Sequence, residues 1–213
     1  MAGERWATFD CYGTLIDWNG GIRGELARVF GEEQAGELLE RYHELEPELE
    51  ADGTRSYREV LTEAMRRLGA PAGEEEALAR SLPDWLPFPE VPGALAEAHE
   101  RGWKLVILSN TDRDFIEASM RRLGVPFECA IVASEVGSYK PGLVHWSTFE
   151  REVGHLPDVH VAASLFHDIG PASELGLPSV WINRLGETAG PKPTRELSDL
   201  QGLAATLDEL VPL

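Results

Sequence analysis

Cysteine is nearly absent from this 213-residue chain, with Cys11 and Cys129 the only two. Two thiols cannot build a disulfide scaffold, so the fold must rest on an apolar core, and a reducing compartment is the expectation. Lysine and asparagine are almost as scarce: Lys104, Lys140 and Lys192, and Asn19, Asn110 and Asn183, account for all of both types. Arginine therefore does most of the basic surface work. Basic charge as a whole is short, since 19 Lys and Arg against 37 Asp and Glu leave a formal net charge of −18. Such a surface repels polyphosphate backbones and anionic lipid, which sets aside nucleic-acid binding and a polybasic membrane anchor. No apolar run approaches the roughly 20 residues that span a bilayer. The opening residues MAGERWATFD carry acids and lack an apolar signal-peptide core. A soluble, cytoplasmic protein is the expectation. With 43% hydrophobic and 26% charged residues, the chain has ordinary globular usage rather than that of a disordered one. Its length suits one large domain, or a core domain with a smaller insertion.

The spacing of apolar residues divides the chain in two. Trp6-Ala7-Thr8-Phe9-Asp10 reads as a short strand ending in an acid, and Tyr12-Gly13-Thr14 as a turn. Helical spacing then follows at Ile22, Leu26, Val29 and Phe30, and again at Leu38, Leu39, Tyr42, Leu45 and Leu49. That predicts two amphipathic helices broken near Gly31. A third helix is expected from Tyr57 to Leu68, stopped by Gly69 and Pro71, and a short one around Glu74 to Ser81. Pro83, Pro87 and Pro89 then suit a linker. Beyond it, strands are predicted at Lys104–Asn110, Ala130–Ala133, Val159–Ser164 and Ser179–Ile182, with helices between them. This alternation predicts a parallel sheet covered on both faces. The first strand can join that sheet only if residues 16–90 form an all-helical insertion.

Ligands of an open parallel sheet sit beyond the carboxyl ends of its strands. Those ends carry, in order, Asp10 and Thr14, then Ser109 and Asn110, then Lys140, then Asp168. Singly, Asp10 reads equally as a turn cap, Ser109 as a helix N-cap and Lys140 as solvated surface. Together, all at strand exits, they favour a site. A carboxylate is a competent covalent nucleophile, and a nearby ammonium keeps it ionised and neutralises developing charge.

Phe9-Asp10-Cys11-Tyr12-Gly13-Thr14-Leu15, Leu108-Ser109-Asn110, Tyr139-Lys140-Pro141 and Asp168 resemble the four motifs of the haloacid dehalogenase superfamily. The resemblance spans nearly the whole chain. It implies an α/β fold, with a Rossmann-like parallel-sheet core over residues 1–15 and 91–213 and an inserted all-helical cap over residues 16–90. The Tyr-Gly-Thr after the first-motif aspartate is similar to the 2-haloacid dehalogenase branch, as is the segment Leu177-Pro178-Ser179-Val180-Trp181-Ile182-Asn183-Arg184. Superfamily phosphatases carry a second aspartate where this sequence has Tyr12. That substitution has physical content. Phosphoryl transfer to Asp10 needs a group to protonate the leaving alkoxide near the working pH, and a tyrosine of pKa ~10 is poorly matched to it. A halide leaves as a stable anion and needs no proton.

The resemblance thus implies a hydrolase that cleaves the carbon–halogen bond of short 2-haloacids through an aspartyl ester. Asp10 is the expected nucleophile, Thr14 and Lys140 its supports, and Asp168 the residue that positions Lys140 or the hydrolytic water. Tyr12, Arg41, Ser109 and Asn110 are the expected substrate-binding residues, with Arg41 at the halide and Ser109 and Asn110 at the carboxylate. Arg41, at the edge of its helix's apolar stripe, is placed to reach the crevice; its other reading is a surface arginine paired with Glu37 or Glu44. His43 is expected on the solvent side.

Three positions depart from the dehalogenase pattern: Ala163, Leu165 and Trp146 stand where it has serine, asparagine and tyrosine. The shell that supports the water and the lysine is therefore rebuilt or lost. His167 reads either as a base for the ester or as a residue bonding backbone. No cofactor is required on this reading. Mg²⁺ is the open alternative, through Asp10, the Tyr12 carbonyl and Asp168, with Ala163 where a further acid would sit. No histidine pair or Cys-x-x-Cys offers zinc a site. The expected partner is a small anionic substrate, and the cap helices offer apolar surface for a homodimer. The other functions left open are a magnesium-dependent phosphatase on small phosphoesters and a catalytically impaired member that binds a small anion or a partner.

Overall fold

A computed structural model of the chain describes residues 4–51, 53–188 and 190–212. Strand β1 (Arg5–Phe9) is followed by four helices, α1 (Trp18–Phe30), α2 (Glu32–Glu50), α3 (Tyr57–Arg67) and α4 (Ala77–Ser81), and a 3-10 turn at Leu82–Asp84. Alternation then begins with α5 (Val91–Glu100), β2 (Trp103–Ser109), α6 (Arg113–Leu123) and β3 (Cys129–Val132). It continues through α7 (Ala133–Val136), α8 (Val144–Val153) and β4 (Val159–Ala162) to a π turn at Leu165–Ile169. Helix α9 (Gly170–Glu174), β5 (Ser179–Ile182), β6 (Arg195–Leu197) and α10 (Leu203–Leu210) complete the described chain.

The six strands form one sheet in the order β3-β2-β1-β4-β5-β6, every pair parallel. Strands buried on both faces need near-continuous apolar runs, and β2 (WKLVILS) and β5 (SVWI) supply them. Each fully buried Leu, Ile or Phe side chain contributes about 1.5–3 kcal/mol, and Phe9, Ile107, Leu108, Phe115, Phe149 and Ile182 have no exposed surface. β6 and α10 are not foreseen from the sequence. Arg195 and Glu196 in β6 are exposed at the sheet edge, so no apolar pattern marks that strand.

The helices before β2 follow local rules. Asp17 caps α1 by accepting from the Gly20 N–H at 2.9 Å. Gly31, with φ +96°, separates α1 from α2. Ser56 and Glu59 form a capping box at the start of α3. The segments entering and leaving this helical insert run side by side: Asp17 N–H donates to Leu86 O at 2.9 Å, and Phe88 N–H to Leu15 O at 3.1 Å. The start of α3 is tied to the loop between β2 and α6 by Asp112, whose two carboxylate oxygens accept from Tyr57 N–H and Arg58 N–H, each at 3.0 Å.

Strand order reverses between β1 and β4. The chain steps outward from β1 through β2 to β3, then returns to the other side of β1. A crevice opens beyond the carboxyl ends at such a switch point. Asp10 stands there, its N–H donating to Val161 O at 3.0 Å. Among the described residues no helix is long and apolar enough to cross a membrane.

Candidate active site

A cavity of about 750 Å³ lies between α2 and the carboxyl ends of the central strands. Asp10 is at its floor, 8% exposed. Its Oδ2 accepts from Thr14 Oγ1 at 2.6 Å and its Oδ1 from Lys140 Nζ at 2.9 Å. Thr14 Oγ1 in turn accepts from Ala163 N–H at 2.8 Å, joining the loop after β1 to the loop after β4. Gly13, at φ +85°, makes the tight turn that brings Thr14 back onto Asp10.

Lys140 is 2% exposed, and all three of its ammonium hydrogens are engaged. Besides Asp10 it donates to Asp168 Oδ1 at 2.6 Å and to Leu108 O at 2.8 Å. Burial alone would push the ammonium down; Asp10 and Asp168 outweigh it and hold Lys140 above its ordinary value. Burial likewise pushes Asp168 up, but Lys140 and His160 hold its carboxyl well below the usual carboxylate range. All four residues expected to be catalytic, Asp10, Thr14, Lys140 and Asp168, thus meet in one hydrogen-bonded group.

The residues expected to bind substrate divide. Ser109, 1% exposed, lines the cavity. Asn110 lines it too, but both ends of its amide are committed: Oδ1 accepts from Lys140 N–H at 2.6 Å, and Nδ2 donates to Lys140 O at 3.0 Å. It clamps the lysine loop. Tyr12 presents its ring, which stacks at 6.3 Å on Tyr57, while its hydroxyl is hydrogen-bonded to Ser119 at 3.0 Å. Burial pushes the Tyr12 phenol up, so it is no proton donor near neutral pH.

Arg41 is not in the cavity. It is exposed and ion-paired with Glu44 on the same helix. The reason is rotational. Tyr42 is fully buried, and α2 turns His43, Glu46 and Glu50 towards the cavity; Arg41 lies about 200° round the helix from His43 at 3.6 residues per turn. His43, expected in solvent, sits exposed at the rim, stacked at 5.1 Å on Trp18 and bonded to Asn19 Oδ1 at 2.8 Å. The arginine that lines this cavity is Arg184. Its guanidinium lies 3.6 Å over the Phe88 ring and donates to Thr14 O at 3.0 Å and Glu90 Oε1 at 2.7 Å.

The roof is therefore acidic in composition, and burial changes its charge. Glu46 Oε1 accepts from the hydroxyls of Tyr57 at 2.7 Å and Tyr42 at 3.0 Å. Burial pushes Glu46 up to about 7 against those two bonds. Burial, then the charge of Glu46, pushes Glu50 up to about 9, with Lys140 and Asn110 opposing. Glu50 thus holds its proton at neutral pH and does not repel an anion beside Ser109. Its proton is retained in the folded chain and lost from the unfolded one above the ordinary value of 4.5, so stability falls as pH rises from there to about 9. Glu50→Gln is expected to stabilise the protein by about 1–3 kcal/mol at pH 8.5 and by less than about 1 kcal/mol at pH 5, measured by urea unfolding at both.

Ala163, Leu165 and Trp146 leave distinct traces. Ala163 contributes only backbone, its N–H to Thr14 and its carbonyl to Trp181 Nε1 at 2.9 Å. Trp146 is fully buried, edge-on to His160 at 5.2 Å. His167 lines the cavity, but its Nδ1 lies 3.3 Å from Ser164 Oγ and its Nε2 3.9 Å from Glu50 Oε2. The sequence reading missed His160, Glu46, Glu50 and Arg184. The three- and four-residue spacing of His43, Glu46 and Glu50 was the available signal for the roof. A histidine inside the apolar run Val159-His160-Val161-Ala162 was the signal for His160.

Lys140 competes with magnesium for the two acids. Lys140 Nζ occupies the space between Asp10 and Asp168, and Thr14 takes the other oxygen of Asp10. In that group Asp168 Oδ2 is left without a hydrogen-bond partner. Among the described residues no three acids, histidines or cysteines are grouped for a metal.

The sequence pattern of the haloacid dehalogenase-like hydrolases matches residues 5–161. The chain belongs to that family. Among its relatives is (S)-2-haloacid dehalogenase 4A of Burkholderia cepacia, 26% identical over 221 residues, covering 98% of this chain and 94% of the relative. The (S)-2-haloacid dehalogenase of Pseudomonas sp. (strain YL) is 28% identical over 218 residues, covering 92% and 90%. The fold matches that of the L-2-haloacid dehalogenase of Xanthobacter autotrophicus with chloropropionic acid covalently bound. That match has a TM-score of 0.82 at 20% identity, over 95% of this chain and 98% of that one.

Proposed function

We propose that this hydrolase cleaves the carbon–halogen bond of short 2-haloacids through an ester on Asp10. The observation that carries the reading is the nucleophile's setting. Asp10 is presented to a cavity with its charge countered by Lys140 at 2.9 Å, while Tyr12, two residues further along the same loop, cannot supply a leaving-group proton. The names of the two full-length relatives agree with it. Helices α1 to α4 act as the cap that closes over the substrate.

Asp10 Oδ1 or Oδ2 attacks C2, and the C–halogen pair leaves with the halide. Thr14 and Lys140 orient the carboxylate; Ser109 and the protonated Glu50 receive the substrate carboxylate. Arg184 takes the place expected of Arg41 as the cation facing the halide. Asp168 serves the water that opens the ester. The cavity excludes competing hydrolysis by bulk water only in its inner part, since His43 at the rim is exposed.

Chloride release from L-2-chloropropionate by purified protein in EDTA tests the reading. Release with formation of the 2-hydroxyacid is expected. No release, together with magnesium-dependent hydrolysis of p-nitrophenyl phosphate, would overturn it.

A further inference from the structure

The ester on Asp10 must be opened by water served by Asp168, and the dehalogenase pattern expects side chains at positions 163 and 165 to help. Ala163 and Leu165 offer none. What touches Asp168 instead comes from the middle of β4. His160, with no exposed surface, places Nε2 at 2.9 Å from Asp168 Oδ1 and Nδ1 at 2.9 Å from Thr8 Oγ1 on β1. Because an ionised carboxylate only accepts, Nε2 donates to it, while Nδ1 shares a hydrogen bond with the Thr8 hydroxyl, which also lies 3.4 Å from Val159 O. Trp146 packs edge-on against the imidazole and fixes its plane.

Lys140 donates to the same oxygen of Asp168 at 2.6 Å. Two donors on Oδ1 lock the carboxylate, and Oδ2 is left buried with no partner in a residue that lines the cavity. Thr8, His160 and Asp168 repeat the residue types of a nucleophilic triad, but Thr8 is fully buried inside the sheet and cannot meet a substrate. The histidine therefore acts on Asp168, not on the substrate.

We infer that His160 is a positioning residue for the second half of the reaction: by holding Oδ1 of Asp168, with Thr8 behind it, it aims Oδ2 at the water that opens the Asp10 ester. The inference rests on Asp10 being the nucleophile. In the step, the water oxygen bonds to Cγ of Asp10 and one water proton passes to Asp168 Oδ2. The bond from Cγ to the substrate oxygen breaks, and the departing alkoxide takes the proton from Asp168. Asp10 then releases its own acid proton to solvent, and both carboxylates are restored.

His160→Leu, His160→Gln and Thr8→Val separate this role from a merely structural one, using L-2-chloropropionate and rapid chloride detection. In His160→Leu the first chloride per chain is expected at the wild-type rate. Steady-state turnover then falls roughly 10- to 100-fold, and the Asp10 ester accumulates and is seen by intact mass. His160→Gln, which restores an N–H donor, recovers most of the lost turnover. Thr8→Val, which keeps the shape, shows a smaller loss of the same kind and carries the test where His160→Leu fails to fold. If first and later turnovers fall together, or turnover is unchanged, His160 has no positioning role while Asp10 chemistry stands. A wild type that releases no chloride and forms no ester overturns both.

Discussion

Asp10→Ala is expected to abolish halide release while leaving the fold standing. Without the carboxylate there is no covalent route, and removing a nucleophile of this kind costs on the order of 10⁴- to 10⁶-fold in turnover. The structural consequence is much smaller. Lys140 loses one of its two carboxylates but keeps Asp168 at 2.6 Å and Leu108 O at 2.8 Å. Thr14 keeps the Ala163 N–H. Two acids on one base become one on one, so stability should change by no more than about 1 kcal/mol. Chloride release and a thermal melt on the same preparation check both halves. A folded variant that retains more than about a hundredth of the wild-type rate would remove Asp10 from the nucleophile's role.

Lys140→Met has the opposite profile, a loss of stability as well as of activity. Asp10 and Asp168 would be left buried, of like charge, with no cation between them. Removing one partner of a buried ion pair costs about 3–5 kcal/mol. The pH dependence has a definite sign. In the wild type the folded-state Asp168 is held well below its ordinary value by Lys140 and His160. That contribution is present above the unfolded value near 3.8 and is lost only as pH falls through the lower folded one. Without the ammonium, Asp168 takes up a proton more readily and sheds the repulsion by protonation. The deficit should therefore be full at pH 8 and shrink towards pH 4. Urea unfolding at pH 8 and pH 4.5 measures it, and adding Asp168→Asn to Lys140→Met should recover part of the loss. Equal stability of wild type and Lys140→Met at pH 8 would mean that this ammonium is not paired in solution.

Much of the architecture was legible because it depends on short-range rules. The apolar runs of β2 and β5 and the glycine break at Gly31 carry their conformation in residue type and spacing alone. The four motif residues were legible for a related reason. In a parallel sheet each strand exit faces the same edge, so a reader who finds the strands has already placed Asp10, Ser109, Lys140 and Asp168 together. β6 was not legible, since an exposed edge strand of three residues needs no apolar pattern to pair.

Rotation about a helix axis was the point at which the sequence ran out. One residue along α2 changes direction by about 100°, so the choice between Arg41 and the His43, Glu46 and Glu50 face depends on which side of the helix packs against α1 and α3. That is decided by Tyr42, Leu45 and Leu49 finding the core. The protonation of Glu46 and Glu50 also belongs to the tertiary structure, because it comes from burial, with Asp10 acting on Glu46 and Glu46 on Glu50, rather than from residue type. His160 is the same kind of case. Along the chain it is a polar interruption in an apolar strand; only the parallel register Thr8↔His160 and the return of the chain to Asp168 give its two nitrogens their partners. Composition and spacing by themselves determined five of the six strands, most of the helices and the four motif positions, since those follow from local conformation and strand direction. The direction of each side chain, and the charge it carries, was decided by packing, because both depend on neighbours distant in sequence.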